Sequence, residues 1–222
     1  MNALCIRDLN FSYDGRRTIL GAVSLDAAEG EAVAITGRSG CGKSTLAMIA
    51  CGVIPKSIHG ELSGSVRVFG EDIKYKDICD TARQISMVFQ EPESQLFAPA
   101  VVDEAAFSPE NLCFECAEII SSVESVLGAV GMTAFYDCPP HTLSSGQQQL
   151  VALASILSLD PRIIILDEVS AQTDEAGQAL ITDAVRLLKK RGKTLIIIDQ
   201  GKALRGLCDT AYKLEQGKLH LI

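Results

Sequence analysis

Two segments of the chain are apolar without alternation, RIIIL at 162–166 and TLIII at 194–198. A strand with one face in water alternates apolar and polar residues, so unbroken runs of this length predict strands of a parallel sheet covered on both faces. Between them Ala176, Ala179, Leu180, Ala184, Leu187 and Leu188 recur at helical spacing. That pattern predicts a helix with this apolar face and a strand-helix-strand crossover. Earlier in the chain LCIRDLNFSY, TILGAVSL, EAVAIT and SVRVFG read as strands separated by Gly and Asp turns such as Asp14-Gly15, with one helix among them after the glycines at 37–42. ISMVF at 85–89 is a further strand signal. From about 100 to 160 the period becomes helical, with Ile119, Ile120, Val123, Val126, Leu127 and Val130 on one stretch and GQQQLVALASIL on another. The end of the chain, YKLEQGKLHLI, predicts a hairpin around Gln216-Gly217.

Composition narrows the class. A chain of 222 residues, 47% hydrophobic, is enough for one sizeable core and a smaller appended layer. The formal charge of -8 offers no electrostatic footprint for a phosphate backbone, so nucleic acid is not expected as a partner. No charged and apolar leader and no membrane-length apolar run is present, which predicts a cytoplasmic protein. Of the eight cysteines, Cys113 and Cys116 form a lone C-x-x-C without a second pair, and incidental reduced thiols are expected.

The chemistry gathers in two motifs. GRSGCGKST at 37–45 follows the predicted strand EAVAIT and opens a helix, the setting of a phosphate-binding loop rather than of a glycine-rich turn with a surface lysine. There Gly37, Arg38, Ser39, Gly40, Cys41, Gly42 and Thr45 supply the cradle, Lys43 reaches the terminal phosphates, and the Ser44 hydroxyl is a Mg²⁺ ligand. Cys41, at a helix N-terminus beside Lys43, is expected to be the most reactive thiol. The second motif, RIIILDE at 162–168, ends a buried strand in two carboxylates, a costly arrangement unless a cation or a reaction uses them. Asp167 is assigned to Mg²⁺ and Glu168 to the general base that activates water.

Leu143-Ser144-Ser145-Gly146-Gln147 matches four of the five positions of LSGGQ, and with the phosphate loop and the acidic strand in this order the chain resembles the ATP-binding cassette (ABC) ATPases. The resemblance spans essentially the whole chain. It implies a P-loop NTPase fold: an α/β cassette with a mixed RecA-like core sheet, an antiparallel β subdomain and a helical subdomain insertion. Residues 1–222 would form one ABC ATPase domain, with core and β subdomain at about 1–90 and 160–222 and the helical subdomain at about 91–159. It implies ATP and Mg²⁺ as ligands, Tyr13 stacked on adenine, and Gln90 touching Mg²⁺ while relaying nucleotide state. It further implies that Ser144, Ser145, Gly146 and Gln147 contact ATP held by a second ABC subunit, identical or not. SAQTD at 170–174 takes the place of the family's D-loop.

QEPESQLFAPAVVDEAAFSPENL at 90–112 is similar to the same segment in the ATPases of energy-coupling factor (ECF) importers for vitamins and metal ions. That implies an integral membrane transport protein as partner and a peripheral position on the cytoplasmic face of the membrane. Leu96, Phe97, Val101 and Phe107 are the expected apolar contact, with helical core as the competing reading. Two positions depart from the family. Ser145 replaces a glycine, placing a Cβ where backbone should approach phosphate. Gln200 stands where the switch histidine is usual, and His59, His141 and His220 lie elsewhere, so the resemblance implies ATP binding with slow hydrolysis.

Overall fold

The computed structural model describes residues 2–171, 173–199 and 202–222, with the side chains of 202 and 203 left aside. A four-stranded antiparallel sheet is ordered β2-β1-β4-β5, from β1 (Asn2–Ser12), β2 (Thr18–Ala28), β4 (Glu61–Val68) and β5 (Glu71–Asp72). A six-stranded sheet is ordered β10-β9-β3-β8-β7-β6. Its strands are β3 (Ala32–Thr36), β6 (Ile85–Val88), β7 (Ile163–Asp167), β8 (Thr194–Ile198), β9 (Thr210–Glu215) and β10 (Lys218–Leu221). All neighbours in it pair in parallel except β9 and β10, the hairpin expected at Gln216-Gly217, where both residues have positive φ.

Two apolar clusters sandwich the parallel strands, which explains why those strands do not alternate. Val33, Ile35, Ile163, Ile165, Ile196 and Ile198 face the antiparallel sheet and α1 (Lys43–Ala50). Ala32, Ile164, Leu166, Leu195 and Ile197 face the helical layer. That layer contains α4 (Val101–Asn111), α5 (Cys116–Ala129), α6 (Ser145–Leu157) and α7 (Glu175–Lys190). Shorter helices are α2 (Val53–Lys56), α3 (Ile78–Ala82) and α8 (Lys202–Arg205).

Three pattern-based expectations need correction. α7 buries Gly177, Ile181, Ala184, Val185 and Leu188, while Ala176, Ala179 and Leu180 are exposed. The face is turned because Gly177 meets Gly146 of α6 backbone to backbone: a Cβ built on Gly146 would lie 2.7 Å from the Gly177 Cα. Burial of Ile181, Val185 and Leu188 then contributes about 1.5–3 kcal/mol each. On α5, Val123, Val126 and Leu127 are buried but Ile120 points outward. The segment after residue 100 is a helix, α4, and its Val101 is fully buried, so Val101 belongs to the core and not to an exposed apolar patch.

Candidate functional site

Parallel pairing brings strand ends together. Ile35 is registered with Ile198, Ile198 with Asp167, and Leu166 with Val88. The loops that leave β3, β7, β8 and β6 therefore emerge from one edge, the carboxyl edge at which open α/β sheets bind ligands. They carry the 37–45 loop, Asp167-Glu168, Asp199 and Gln90 respectively.

The phosphate loop is drawn tightly over the sheet. Gly37 has a φ of 156°, and a Cβ there would sit 2.5 Å from the Leu214 carbonyl oxygen, so no side chain fits. Gly42, in the left-handed region, caps α1. Lys43 is 4% exposed. Its Nζ donates to the carbonyl oxygens of Gly37 at 3.0 Å and Arg38 at 3.1 Å and lies 3.1 Å from Glu168 Oε1. Arg38, Ser39 and Gly40 are exposed, and Cys41 is half-buried against the first apolar cluster. The surface thiols are instead Cys79, Cys113 and Cys116, so access does not favour Cys41.

Asp167 is 2% exposed. Burial raises its carboxyl above the ordinary carboxylate range; the Ser44 hydroxyl bond opposes this, the Glu168 charge adds to it and Lys43 opposes it. Its Oδ1 has no hydrogen-bond partner. A buried orphan acceptor beside a hydroxyl suits a hard divalent cation that takes a few protein oxygens and leaves the rest to phosphate and water. Among the described residues no group of three His, Cys, Asp or Glu side chains forms a metal cluster. The carboxylate and hydroxyl of Asp167 and Ser44 fit a hard divalent cation such as Mg²⁺. Glu168 has φ +48°, a strained value for a non-glycine residue, and its N–H donates to Ile198 O at 2.8 Å.

Tyr13 leans on this loop: its hydroxyl and Thr45 Oγ1 are 3.1 Å apart, and its ring meets Phe11 edge-on at 4.7 Å between centroids. Nearly half its surface is open, leaving a face available for stacking.

The expected signature residues form a second group. Ser144 caps α6, its Oγ accepting from Gln147 N at 3.4 Å while Gln147 Oε1 accepts from Ser144 N at 3.0 Å. This reciprocal box means both side chains first serve the helix. Ser145 occupies the first turn, is exposed, and is not among the positive-φ residues, so the serine costs no backbone strain there. Gly146 is the position that tolerates no Cβ. Ser145 also lines a cleft of about 320 Å³ with Glu91, Pro92, Gln148, Gln149 and Thr173. A larger groove of about 370 Å³ lies between Glu93, Leu96, Phe97, Ala98, Pro140 and His141. Phe97 is exposed there and packs edge-to-face at 4.6 Å against the exposed Phe107 of α4.

Sequence reasoning missed three supports. Buried Glu104 accepts from the backbone N–H groups of Phe97 and Ala98. Gln149, 4% exposed, donates from Nε2 to the Gln90 carbonyl oxygen at 2.9 Å. Ser170 donates to Asp199 at 3.2 Å. Glu104 and Gln149 are buried helix residues and Ser170 a half-buried loop residue, and no motif in the sequence marks any of the three. Gln200, the expected switch position, and Gln172 lie outside the described residues.

Comparison with known proteins points in one direction. Residues 20–171 match the family model described as ABC transporter. The chain is 37% identical to the energy-coupling factor transporter ATP-binding protein EcfA of Methanococcus maripaludis over 222 residues, 99% of this chain and 78% of that protein. A longer protein of Methanosarcina mazei is 37% identical over 219 residues, and there the chain spans only 38% of the relative's length. Among solved structures, cbiO1 from Clostridium perfringens, described as part of the ABC transporter complex cbiONQ, superposes with a TM-score of 0.88 at 30% identity, covering 99% of this chain and 87% of that one.

Proposed function

The chain belongs to the ABC transporter family of ATP-binding proteins, and on that premise we propose that residues 1–222 form one cassette that binds and hydrolyses ATP to energise a membrane importer, of the ECF class for vitamins or metal ions. The observation that carries this reading is the convergence of Lys43, Ser44, Asp167 and Glu168 at one sheet edge, with Lys43 and Glu168 3.1 Å apart.

In this reading the loop amides and Lys43 bind the phosphates, Tyr13 stacks on adenine, and Thr45 helps orient the phosphate chain. Ser44 and Asp167, with Gln90, would hold Mg²⁺, which neutralises phosphate charge when bound. Glu168 takes a proton from the attacking water as its oxygen bonds to the γ-phosphorus and the bond to ADP breaks. Glu168 is paired with Lys43; phosphate oxygens compete for the same ammonium and so release the base for water. The exposed N-terminus of α6, with Ser144 to Gln147, presents a helix-end anion site to ATP on a second cassette, and ATP closes the pair.

The groove at Leu96 and Phe97, beside the exposed Phe107, is in this reading the surface offered to the integral membrane protein, with the cassette on the cytoplasmic face. Support comes from the exposed aromatic pair, from the similarity to EcfA, and from the cbiO1 complex, itself described as part of cbiONQ. Among the described residues no helix is long and apolar enough to cross a membrane.

A second reading, a cassette that binds ATP and hydrolyses it little, is favoured by Gln200 in the sequence. An amide donates a hydrogen bond but no positive charge, and loss of one charge-assisted transition-state donor costs up to about 10²- to 10³-fold in rate. Turnover is to be measured in the assembled complex with the companion cassette's catalytic glutamate disabled. Glu168→Gln should abolish it and Gln200→His should raise kcat with little change in KM. Turnover that survives Glu168→Gln removes the assigned base, and an unchanged kcat in Gln200→His removes the switch assignment.

A further inference from the structure

Gln149 sits one turn inside α6, behind Ser144 to Gln147, at a position where an apolar residue would complete the core. Its amide nitrogen is directed at two main-chain oxygens, Gln90 O at 2.9 Å and Phe89 O at 3.4 Å. Those partners fix the orientation of the amide, because the reverse orientation would set its oxygen against two carbonyls. The outer oxygen is left buried with no hydrogen-bond partner. An unsatisfied buried acceptor costs about 1–3 kcal/mol, so a packing role alone would be better served by Leu or Met. What the glutamine provides is the tie to residue 90.

The segment it holds is compact. Gln95 Oε1 accepts from Phe89 N at 3.2 Å, and Ser94 N and Gln95 N close a short turn on Glu91 and Pro92. At its other side α6 is locked to α7 by the Gly146–Gly177 contact. The loop carrying Gln90 is therefore hydrogen-bonded through the Gln149 side chain to a helix that is itself packed against α7.

From this geometry we infer that Gln149 is a positioning residue: it sets the place of Gln90 relative to the nucleotide edge and makes the Gln90 loop and the α6 N-terminus move as one body. The inference rests on the reading of Gln90 as a Mg²⁺ contact. Gln149→Leu and the unbranched Gln149→Met remove the donor and keep the volume. In the full chain, amide hydrogen exchange in residues 90–96 should quicken about fivefold, the effect of one lost net hydrogen bond, while residues 37–46 keep their protection. ATP affinity in EDTA should stay as in the wild type, and the Mg²⁺ concentration for half-maximal tightening of ATP binding should rise about fivefold, toward that of Gln90→Ala. Unchanged exchange at 90–96, or an equal increase throughout the chain in both variants, overturns the inference. So does faster exchange without the Mg²⁺ shift when Gln90→Ala shows that shift. If Gln90→Ala itself leaves the Mg²⁺ requirement unchanged, the metal contact of Gln90 is what fails, and exchange at 90–96 alone decides for or against Gln149.

Discussion

The two ends of the functional surface are built on opposite principles. At the ends of β3 and β7, charge is buried and incompletely satisfied: Asp167 has an orphan oxygen, Glu168 is held at positive φ, and Lys43 is nearly inaccessible. At the start of α6 the polar groups are exposed and satisfy one another through the Ser144–Gln147 box. The first region carries a conformational and desolvation cost, whereas the second is a relaxed helix end. In the proposed reading, the chain's own nucleotide meets the strained end and a neighbour's meets the exposed one.

The largest test of the contrast is Lys43→Ala. It removes a cation that holds two carbonyls and a carboxylate, and ATP affinity should fall at least about a hundredfold in a calorimetric titration. Unchanged affinity would remove the phosphate-loop assignment. Next is Gly146→Ala, whose Cβ would lie 2.7 Å from Gly177 Cα. Backbone cannot yield as a flexible side chain does, so urea denaturation should show a loss of about 2 kcal/mol; a neutral result would mean that the helices are not in backbone contact.

Asp167→Asn probes the strained end directly. Burial raises the Asp167 carboxyl, so the folded chain keeps that proton to a higher pH than the unfolded chain. The group's contribution becomes less favourable as pH rises above the ordinary carboxylate value of about 4 and through its raised folded value. Lowered Asp209 acts with the opposite sign: its contribution is present above the ordinary value and lost as pH falls through its depressed one. Nucleotide-free Asp167→Asn should be about 1 kcal/mol more stable than the wild type at pH 7, with the difference shrinking at pH 5, while Mg²⁺-dependent ATP binding is lost. Lower stability at pH 7 would contradict a strained site. The smallest effect belongs to the relaxed end. Ser145→Gly should cost at most about 0.5–1 kcal/mol of thermal stability, because serine is already unstrained in that first turn, and should not tighten ATP-driven association in sedimentation. A marked gain in association would restore the idea that the serine Cβ obstructs phosphate.

Much of this molecule follows from local sequence. Unbroken apolar runs specified β3, β7 and β8, because a strand covered on both faces needs apolar residues at consecutive positions. The glycine spacing of 37–42 and the acidic end of β7 marked two segments that the fold brings to one sheet edge, because phosphate and metal chemistry constrain which residue types suit such a site. Which face of α7 is buried was not legible. Its N-terminal half carries Ala176, Ala179 and Leu180 on one side and Gly177 and Ile181 on the other, and only the backbone contact with Gly146 selects the second. Val101, Phe97 and Phe107 looked alike as apolar residues of one segment, yet α4 buries the first and leaves the aromatic pair outside. The tie from Gln149 to Gln90 joins residues 59 apart in the chain, and nothing local marks that glutamine as different from its two neighbours. Periodicity and motif report what a residue can do; which of several equivalent residues does it is decided when elements distant in sequence compete for the same buried space.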